Sequence, residues 1–472
     1  MKNYIVIFIL IAIIGCISSY TFIGTPEQLL VALGHVCTLE LASFLYINYK
    51  VSNKQFSYSS LFIIVLFIFH FGQLILYTWF YEYYNHFRFL LLMEPYEALH
   101  GFRIMNLSFS GMCVGALFSE SKIQRKITGY SIISVEDEKK WQKIAWKIIK
   151  YTFIVKCPLD LVTLFISITS SGESARAFVN SFPNILLYYG KISLVGFALL
   201  LYVYRNNPFK QNRIFLFIEG YILLMMISGI RSENVGYVVV FAFIYLITKR
   251  DKIKPKMLVM YSILGFFVLS FIVGVGQFRS MSDKSISTLI EIIEISFTEH
   301  NLILGFLDNM GDTGYTALMV INEWLPRYGP SYGDAFYKGI FAIIPNLLPG
   351  IVDFGQITSE SATPIKLQQA GVLSEGYENI GGSVIGELFL NFGIVGGVIY
   401  SLFFGYFLGW VGRNVRLCTY SNNLYRLILF IPIMLASIYW VRDYFGGGVR
   451  EAVWGILFTY YLVKKNNIKY GN

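Results

Sequence analysis

A chain of 472 residues that is 55% hydrophobic and only 14% charged lies outside the range of soluble domains, which carry about 25% charged residues. Its net charge of +9 is spread over many short connections and forms no basic face, which excludes nucleic acid as a partner and leaves charge that sets membrane topology. Cys16, Cys37, Cys113, Cys157 and Cys418 lie in or beside apolar runs, and neither they nor the five histidines show metal-ligand spacing, so no disulfide framework, metal site or cofactor is indicated.

A helix needs about 20 apolar residues to cross the hydrocarbon core. On that ruler twelve spans are expected, near 4–22, 27–47, 59–81, 97–118, 148–169, 183–204, 213–230, 234–248, 257–276, 384–411, 424–440 and 447–463. The first contains Ile13-Ile14-Gly15-Cys16, which is like a lipoprotein cleavage box, but the spans directly behind it mark it as a retained helix. The expected fold class is all-α and polytopic, with about 12 transmembrane helices and a large extracytoplasmic loop. Residues 1–276 hold the first nine helices, 277–383 form an extracytoplasmic cap with interfacial or re-entrant helices, and 384–472 hold the last three helices and a cytoplasmic tail.

Alternate connections carry the lysines: Lys50 and Lys54, then Ser119 to Lys143, Lys210 with Arg205 and Arg213, and Thr248 to Lys256. Arg413, Arg416 and the tail with Lys464, Lys465 and Lys469 complete that side. The positive-inside rule makes it cytoplasmic, with both termini inside and the cap outside. The short connections of the opposite side hold Arg88, Arg176, Arg231, Arg442 and Arg450 and no lysine, while Arg103 sits just inside the fourth span and Arg279 opens the cap. Guanidinium is planar, permanently charged and able to hold phosphate oxygens through paired bonds. Arginines kept there against the topological bias indicate anion binding, although Glu82, Glu94, Glu173, Glu233, Asp443 and Glu451 are at hand as partners for individual arginines.

The cap is entered through GVGQFRS (Gly274 to Ser280), left through GGSVIGE (Gly381 to Glu387), and carries Pro326, Pro330, Pro345, Pro349 and Pro364. So long a segment without a spanning run indicates a functional lid. Ser285 to Phe297 has apolar residues at helical spacing around Glu291 and Glu294, the pattern of a helix lying on the membrane surface. Glu299, His300, Asp308 and Asp312 follow. Gly339 to Val352 is too short and too broken by proline to span, and reads as interfacial or re-entrant. Trp324, Tyr328, Tyr332 and Tyr337 offer faces for stacking on sugars or for an interfacial aromatic belt. Within the spans, Lys156 and Asp160 stand four residues apart and should neutralise one another, while Glu40 and Glu219 lie toward span ends, within reach of the interface.

Outer arginines, a lid and a membrane body together suit a lipid pyrophosphate. Arginines would hold the diphosphate, a groove between spans the isoprenoid tail, and the lid the attached sugars. The matching reaction is glycosyl transfer with the lipid diphosphate as leaving group and a general base at the accepting hydroxyl. Candidate catalytic residues are His300, Glu299 and Glu387; candidate diphosphate ligands are Arg231, Arg279, Arg176, Arg442 and Arg450; candidate sugar-binding residues are Tyr328, Tyr332 and Trp324.

GGSVIGELFLNFGIVGGVIYSLFFGYFLG (Gly381 to Gly409) resembles the hydrophobic signature that follows the outer loop in O-antigen and capsular polysaccharide polymerases, the Wzy family. SGIRSENVGYVVVFAFIYLI (Ser228 to Ile247) resembles that family's Gly-x-Arg segment opening a span, and GQFRS (Gly276 to Ser280) its arginine at the mouth of the large loop. The resemblance implies a polymerase of the bacterial cytoplasmic (inner) membrane that transfers the growing glycan onto the next undecaprenyl-diphosphate-linked oligosaccharide at the outer face. It also implies a fold like the GT-C-type membrane glycosyltransferases, no required metal, a chain-length regulator protein as a further partner, and Arg231 and Arg279 as preferred diphosphate ligands. The paired Arg-x10-Gly loops reported for some members are absent from this chain. A lipid-linked oligosaccharide flippase would fit the spans but has no use for so large a cap, and an O-antigen ligase would share topology and donor.

Overall fold

The computed structural model describes residues 2–82, 87–122, 135–170, 172–228, 231–249, 302–344, 360–372, 381–421 and 423–465, with isolated positions at 274, 288, 291, 292, 294 and 357. Among them every regular element is a helix. In chain order these are α1 (Lys2–Thr21), α2 (Pro26–Val51), α3 (Tyr58–Trp79), α4 (Arg88–Leu92), α5 (Pro95–Glu120) and α6 (Val135–Thr169). Then come α7 (Gly172–Asn180), α8 (Asn184–Val203), α9 (Pro208–Met226) and α10 (Arg231–Lys249). The described part of the cap holds α11 (Leu302–Gly311), α12 (Thr313–Met319), a π-turn over Val320–Trp324, α13 (Leu325–Tyr328), α14 (Asp334–Phe341) and α15 (Thr363–Gln369). The last three helices are α16 (Val384–Ser421), α17 (Leu424–Trp440) and α18 (Phe445–Lys465).

Helix starts follow their local chemistry. Thr25 and Gln28 cap each other reciprocally ahead of Pro26, Ser57 accepts from Ser60 N at the start of α3, and Asn207 caps α9. Seven helices (α1, α2, α3, α5, α6, α8 and α16) are long and apolar enough to cross a membrane, which makes this an integral membrane protein. α10 and α17 are apolar but shorter. α9 and α18 occupy the places of the seventh and twelfth expected spans, with charged residues interrupting their apolar runs. The ninth expected span, near 257–276, lies outside the described residues apart from Gly274.

α5 and α16 pack at the centre through small residues. A Cβ on Gly115 would fall 2.0 Å from Leu402 O, and one on Gly405 would fall 2.0 Å from Met112 O. Backbones this close gain dispersion contact that lipid does not supply. The far end of the pair is tied by a buried ion pair, Arg416 Nη2 to Glu120 Oε2 at 2.5 Å, with Ser59 Oγ donating to Glu120 Oε1 at 2.9 Å.

α16 is broken at Gly393, whose φ of 67° and ψ of −175° are non-helical. The break interrupts the α-helical hydrogen bonding of the turn before it, and the cap makes use of the carbonyls there. Ser331 N donates to Leu390 O at 2.7 Å and Gly333 N to Asn391 O at 3.1 Å. Asn391 Oδ1 accepts from Ala335 N at 2.9 Å.

Charges inside the helices settle in two ways. Lys156 and Asp160 form the pair their spacing predicts, at 2.8 Å. Glu40 does not reach the interface: it is fully buried and accepts from Asn106 Nδ2 at 3.2 Å and Ser110 Oγ at 2.6 Å. Those α5 donors satisfy the carboxylate within the helix packing. Glu219 is likewise buried, and neither of its oxygens has a hydrogen-bond partner among the described residues.

Candidate functional site

The cap rejoins the membrane helices through Gly381-Gly382-Ser383. A Cβ at Gly381 would fall 2.9 Å from Arg442 Cγ, and one at Gly382 would fall 2.5 Å from Asp443 O. Glycine is therefore what lets this strand of chain lie directly on the α17–α18 turn. Thr316 Oγ1 donates to Gly381 O at 2.7 Å, and Ser383 Oγ lies 2.8 Å from His70 Nε2 on α3. One helical turn on, Glu387 is fully buried. Trp440 Nε1 donates to its Oε2 at 2.6 Å, and Phe445 N lies 2.9 Å from Oε2 and 3.1 Å from Oε1. Glu387 thus joins α16 to both ends of the turn Val441–Tyr444.

Two cavities adjoin the α17–α18 hairpin. The first, of about 270 Å³, is charged, with Lys156, Asp160, Lys191, Glu233 and Arg450 in its wall. Lys191 Nζ lies 2.5 Å from Glu233 Oε1 and 3.3 Å from Glu451 Oε2. The Tyr237 hydroxyl sits between the same two carboxylates, bonded to Glu233 and 2.8 Å from Glu451 Oε1. The Tyr188 ring is bracketed by cations, with Lys191 Nζ 5.0 Å and Arg450 Cζ 5.1 Å from its centroid. Arg450 Nε is buried without a hydrogen-bond partner among the described residues.

The second cavity, of about 370 Å³, is aromatic, lined by Phe336, Phe403, Phe404, Phe407, Trp440 and Phe445 among others. Tyr439 and Arg450 border the charged cavity, while their chain neighbours Trp440 and Val449 border the aromatic one. The hairpin is therefore the wall between them.

The elements carrying three of the five sequence-derived arginines meet at the charged cavity. Arg450 lines it, α10 lines it at Glu233 and Asn234 just after Arg231, and α7 lines it at Val179, one turn beyond Arg176. The side chains of Arg231 and Arg176 lie outside the described residues, as do Arg279, Glu299 and His300 entirely. Arg442 lies apart from this cavity's wall, against Gly381. In the cap, the Trp324 and Tyr328 rings stand 4.8 Å apart, with Trp324 Nε1 donating to Gly329 O at 3.0 Å and Tyr328 OH to Ala370 O at 3.2 Å. Tyr332 stands at the tip of the Ser331–Gly333 turn, 88% exposed and at a left-handed φ of 49° that a bulky residue rarely adopts. Burial raises the Asp334 carboxyl, but bonds from Lys366 (2.7 Å) and Lys338 (3.1 Å) outweigh it and hold the group below the usual carboxylate range.

Lys191, Tyr188 and Tyr237 are absent from the sequence-derived set. Lys191 carried a readable signal, a lone cation within an apolar run. The two tyrosines carried none, because tyrosine is common in such helices. Glu233 and Glu451, read from sequence as possible arginine partners, share a lysine instead. Among the described residues no three His, Cys, Asp or Glu side chains gather as metal ligands would.

A family model described as O-antigen polysaccharide polymerase Wzy matches residues 4–465. No curated protein and no solved structure matches the chain.

Proposed function

The chain belongs to the O-antigen polysaccharide polymerase Wzy family, and on that premise we propose that it joins undecaprenyl-diphosphate-linked repeat units at the outer face of the bacterial cytoplasmic membrane. The growing glycan passes from its carrier to the next lipid-linked repeat, with the lipid diphosphate as leaving group. The observation that carries this reading is the α17–α18 hairpin, with a charged cavity on one side and an aromatic one on the other. A prenyl diphosphate has those two characters in one molecule.

In this reading Arg450, with Arg231 and Arg176 on the neighbouring helices and Arg279 from the cap, holds the diphosphate and stabilises charge developing on it. The aromatic cavity takes the first isoprene units, and Trp324, Tyr328 and Tyr332 stack on sugars. Glu387 holds the turn in place through Trp440 and Phe445. The lysine-rich connections and both termini lie in the cytoplasm, and a chain-length regulator protein is a further partner.

The test is deletion of the gene followed by gel analysis of surface polysaccharide. Loss of the length ladder with a single repeat still attached to its acceptor supports a polymerase. Unattached polymer on its carrier would indicate a ligase, and repeats retained on the cytoplasmic side a flippase. Complementation with Arg450→Ala, Arg231→Ala or Arg279→Ala should give no ladder although the protein inserts, and Arg450→Lys should restore it only in part, since the planar fork is lost. Wild-type ladders from all three alanine variants would defeat the diphosphate assignment.

A further inference from the structure

We propose that Phe336, on the cap helix α14, is a specificity-determining residue for the lipid: it covers the first isoprene units of the bound prenyl diphosphate, so that a diphosphate bearing a prenyl tail is selected over one without. The assignment deepens the reading above and rests on its placement of the lipid diphosphate.

With the diphosphate in the charged cavity and the tail in the aromatic one, the bond between lipid and phosphate crosses the Val441–Tyr444 turn. Trp440 and Phe445 flank that turn, and both line the aromatic cavity. The first isoprene units therefore lie against these two rings. Phe336 stands over the same pair, its ring centroid 4.4 Å from that of Phe445 and 6.0 Å from that of Trp440, with Phe392 at 5.2 Å. It is only partly buried and lines the cavity itself. A tail lying there gains dispersion contact with a third ring, and that ring belongs to the cap.

The ends of α14 hold the ring in place. At its start, Ser331 N, Gly333 N and Ala335 N dock on the broken turn of α16. Towards its end, a Cβ on Gly339 would fall 2.6 Å from Phe445 Cδ1, and Trp454 Nε1 donates to Ile343 O at 3.0 Å just beyond the helix. Both of those partners belong to α18. α14 thus crosses from one wall of the aromatic cavity to the other, with Asp334 paired at 2.7 Å to Lys366 of the next cap helix. Tyr400 and Phe403 line the cavity from the spanning helix α16 and remain 45% and 61% exposed. The outward face of a spanning helix meets lipid, so the cavity opens to the bilayer on that side and leaves a path for the rest of a long tail.

The experiment uses the purified full chain in lipid nanodiscs and two probes, farnesyl diphosphate, with a tail of isoprene units, and methyl diphosphate, with none. Binding of each is measured directly, and inhibition of polymer formation from lipid-linked repeat units in parallel. Phe336→Ala should lower the preference for farnesyl over methyl diphosphate about 10-fold, the equivalent of roughly two buried methylene groups, and leave methyl diphosphate binding unchanged. Phe336→Leu, which keeps most of the apolar surface, should lower it about threefold and decides the matter if the alanine variant does not accumulate. Tyr337→Ala, at an exposed neighbour that lines neither cavity, should keep the wild-type preference. A wild-type preference in the Phe336 variants overturns the assignment. An equal loss for both probes also overturns it, because a ring that only props up the cap would weaken the two alike. A wild-type chain that shows the Phe336-dependent preference but makes no polymer overturns the polymerase reading and leaves Phe336 as the residue that reads the tail.

Discussion

His70 Nε2 and Ser383 Oγ lie 2.8 Å apart although 313 residues separate them in the chain. The other ring nitrogen, Nδ1, is 3.0 Å from Leu66 O, which can only accept, so Nδ1 carries the hydrogen and Nε2 receives the serine hydroxyl. The point where the cap returns is thereby tied to the middle of α3 by a neutral imidazole. Ser383 Oγ also accepts from Gly386 N at 3.0 Å. Ser383→Ala should cost about 1–3 kcal/mol by leaving a buried nitrogen unpaired, seen as a lower melting midpoint of the detergent-solubilised protein. An unchanged midpoint would show that the tie contributes nothing.

Lys191 stands between the Glu233 and Glu451 carboxylates, and its loss removes the cation bonded to both. Lys191→Met is expected to destabilise by about 3–5 kcal/mol, enough to remove most folded protein from membranes. Adding Glu451→Gln should recover a good part of the yield by removing one of the stranded charges. If the double variant is no better than the single one, the charge explanation fails and lost packing is the cause.

The α5–α16 contact makes a sharp contrast among glycines. Gly115→Ala or Gly405→Ala puts a methyl 2.0 Å from a facing carbonyl oxygen, whereas a Cβ on Gly220 meets nothing within 4 Å. The first two should abolish accumulation of folded protein, while Gly220→Ala should be neutral or mildly stabilising, because alanine favours helix. Comparable expression of all three would mean that the two helices do not pack this closely.

Asp443 gives a pH signature opposite in sign to that of Asp334. Its folded value of about 8 lies above the free value of 3.8, so the folded protein holds the proton more tightly. That contribution is complete below pH 3.8 and is lost progressively as pH rises to about 8. Asp443→Asn should therefore melt with wild type in acid and above it at alkaline pH. The Asp334 carboxyl is held below its free value, so its contribution is present above pH 3.8 and disappears as acid protonates it. Asp334→Asn should melt below wild type at neutral pH and converge with it in acid. A constant gap across pH in either case would refute the corresponding ionisation.

Apolar run length located α2, α3, α5 and α17 closely, because a membrane core rewards the same property that a hydropathy reading counts. It stopped short at α6, which begins at Val135 rather than near 148, because the first turns carry Glu136 to Lys147 and are amphipathic. It also missed the break at Gly393. Gly393, Gly396 and Gly397 look alike in sequence, and only the docking of Ser331 and Gly333 distinguishes the first. For the site, the excess of arginine over lysine pointed to α7, α10 and α18, whose walls do meet. It said nothing of Lys191, whose partners lie 42 and 260 positions further along the chain, a proximity that spacing along one helix does not reveal.

The break at Gly393 has a consequence for biogenesis. Ser331, Gly333 and Ala335 are synthesised before Leu390 and Asn391, yet the acceptors they need belong to those later residues. This part of the chain cannot take its final shape as it is synthesised; it must wait until α16 has formed and bent at Gly393. An unfinished chain halted ahead of that helix would leave Ser331, Gly333 and Ala335 without these acceptors, so this docking is completed only in the last quarter of translation.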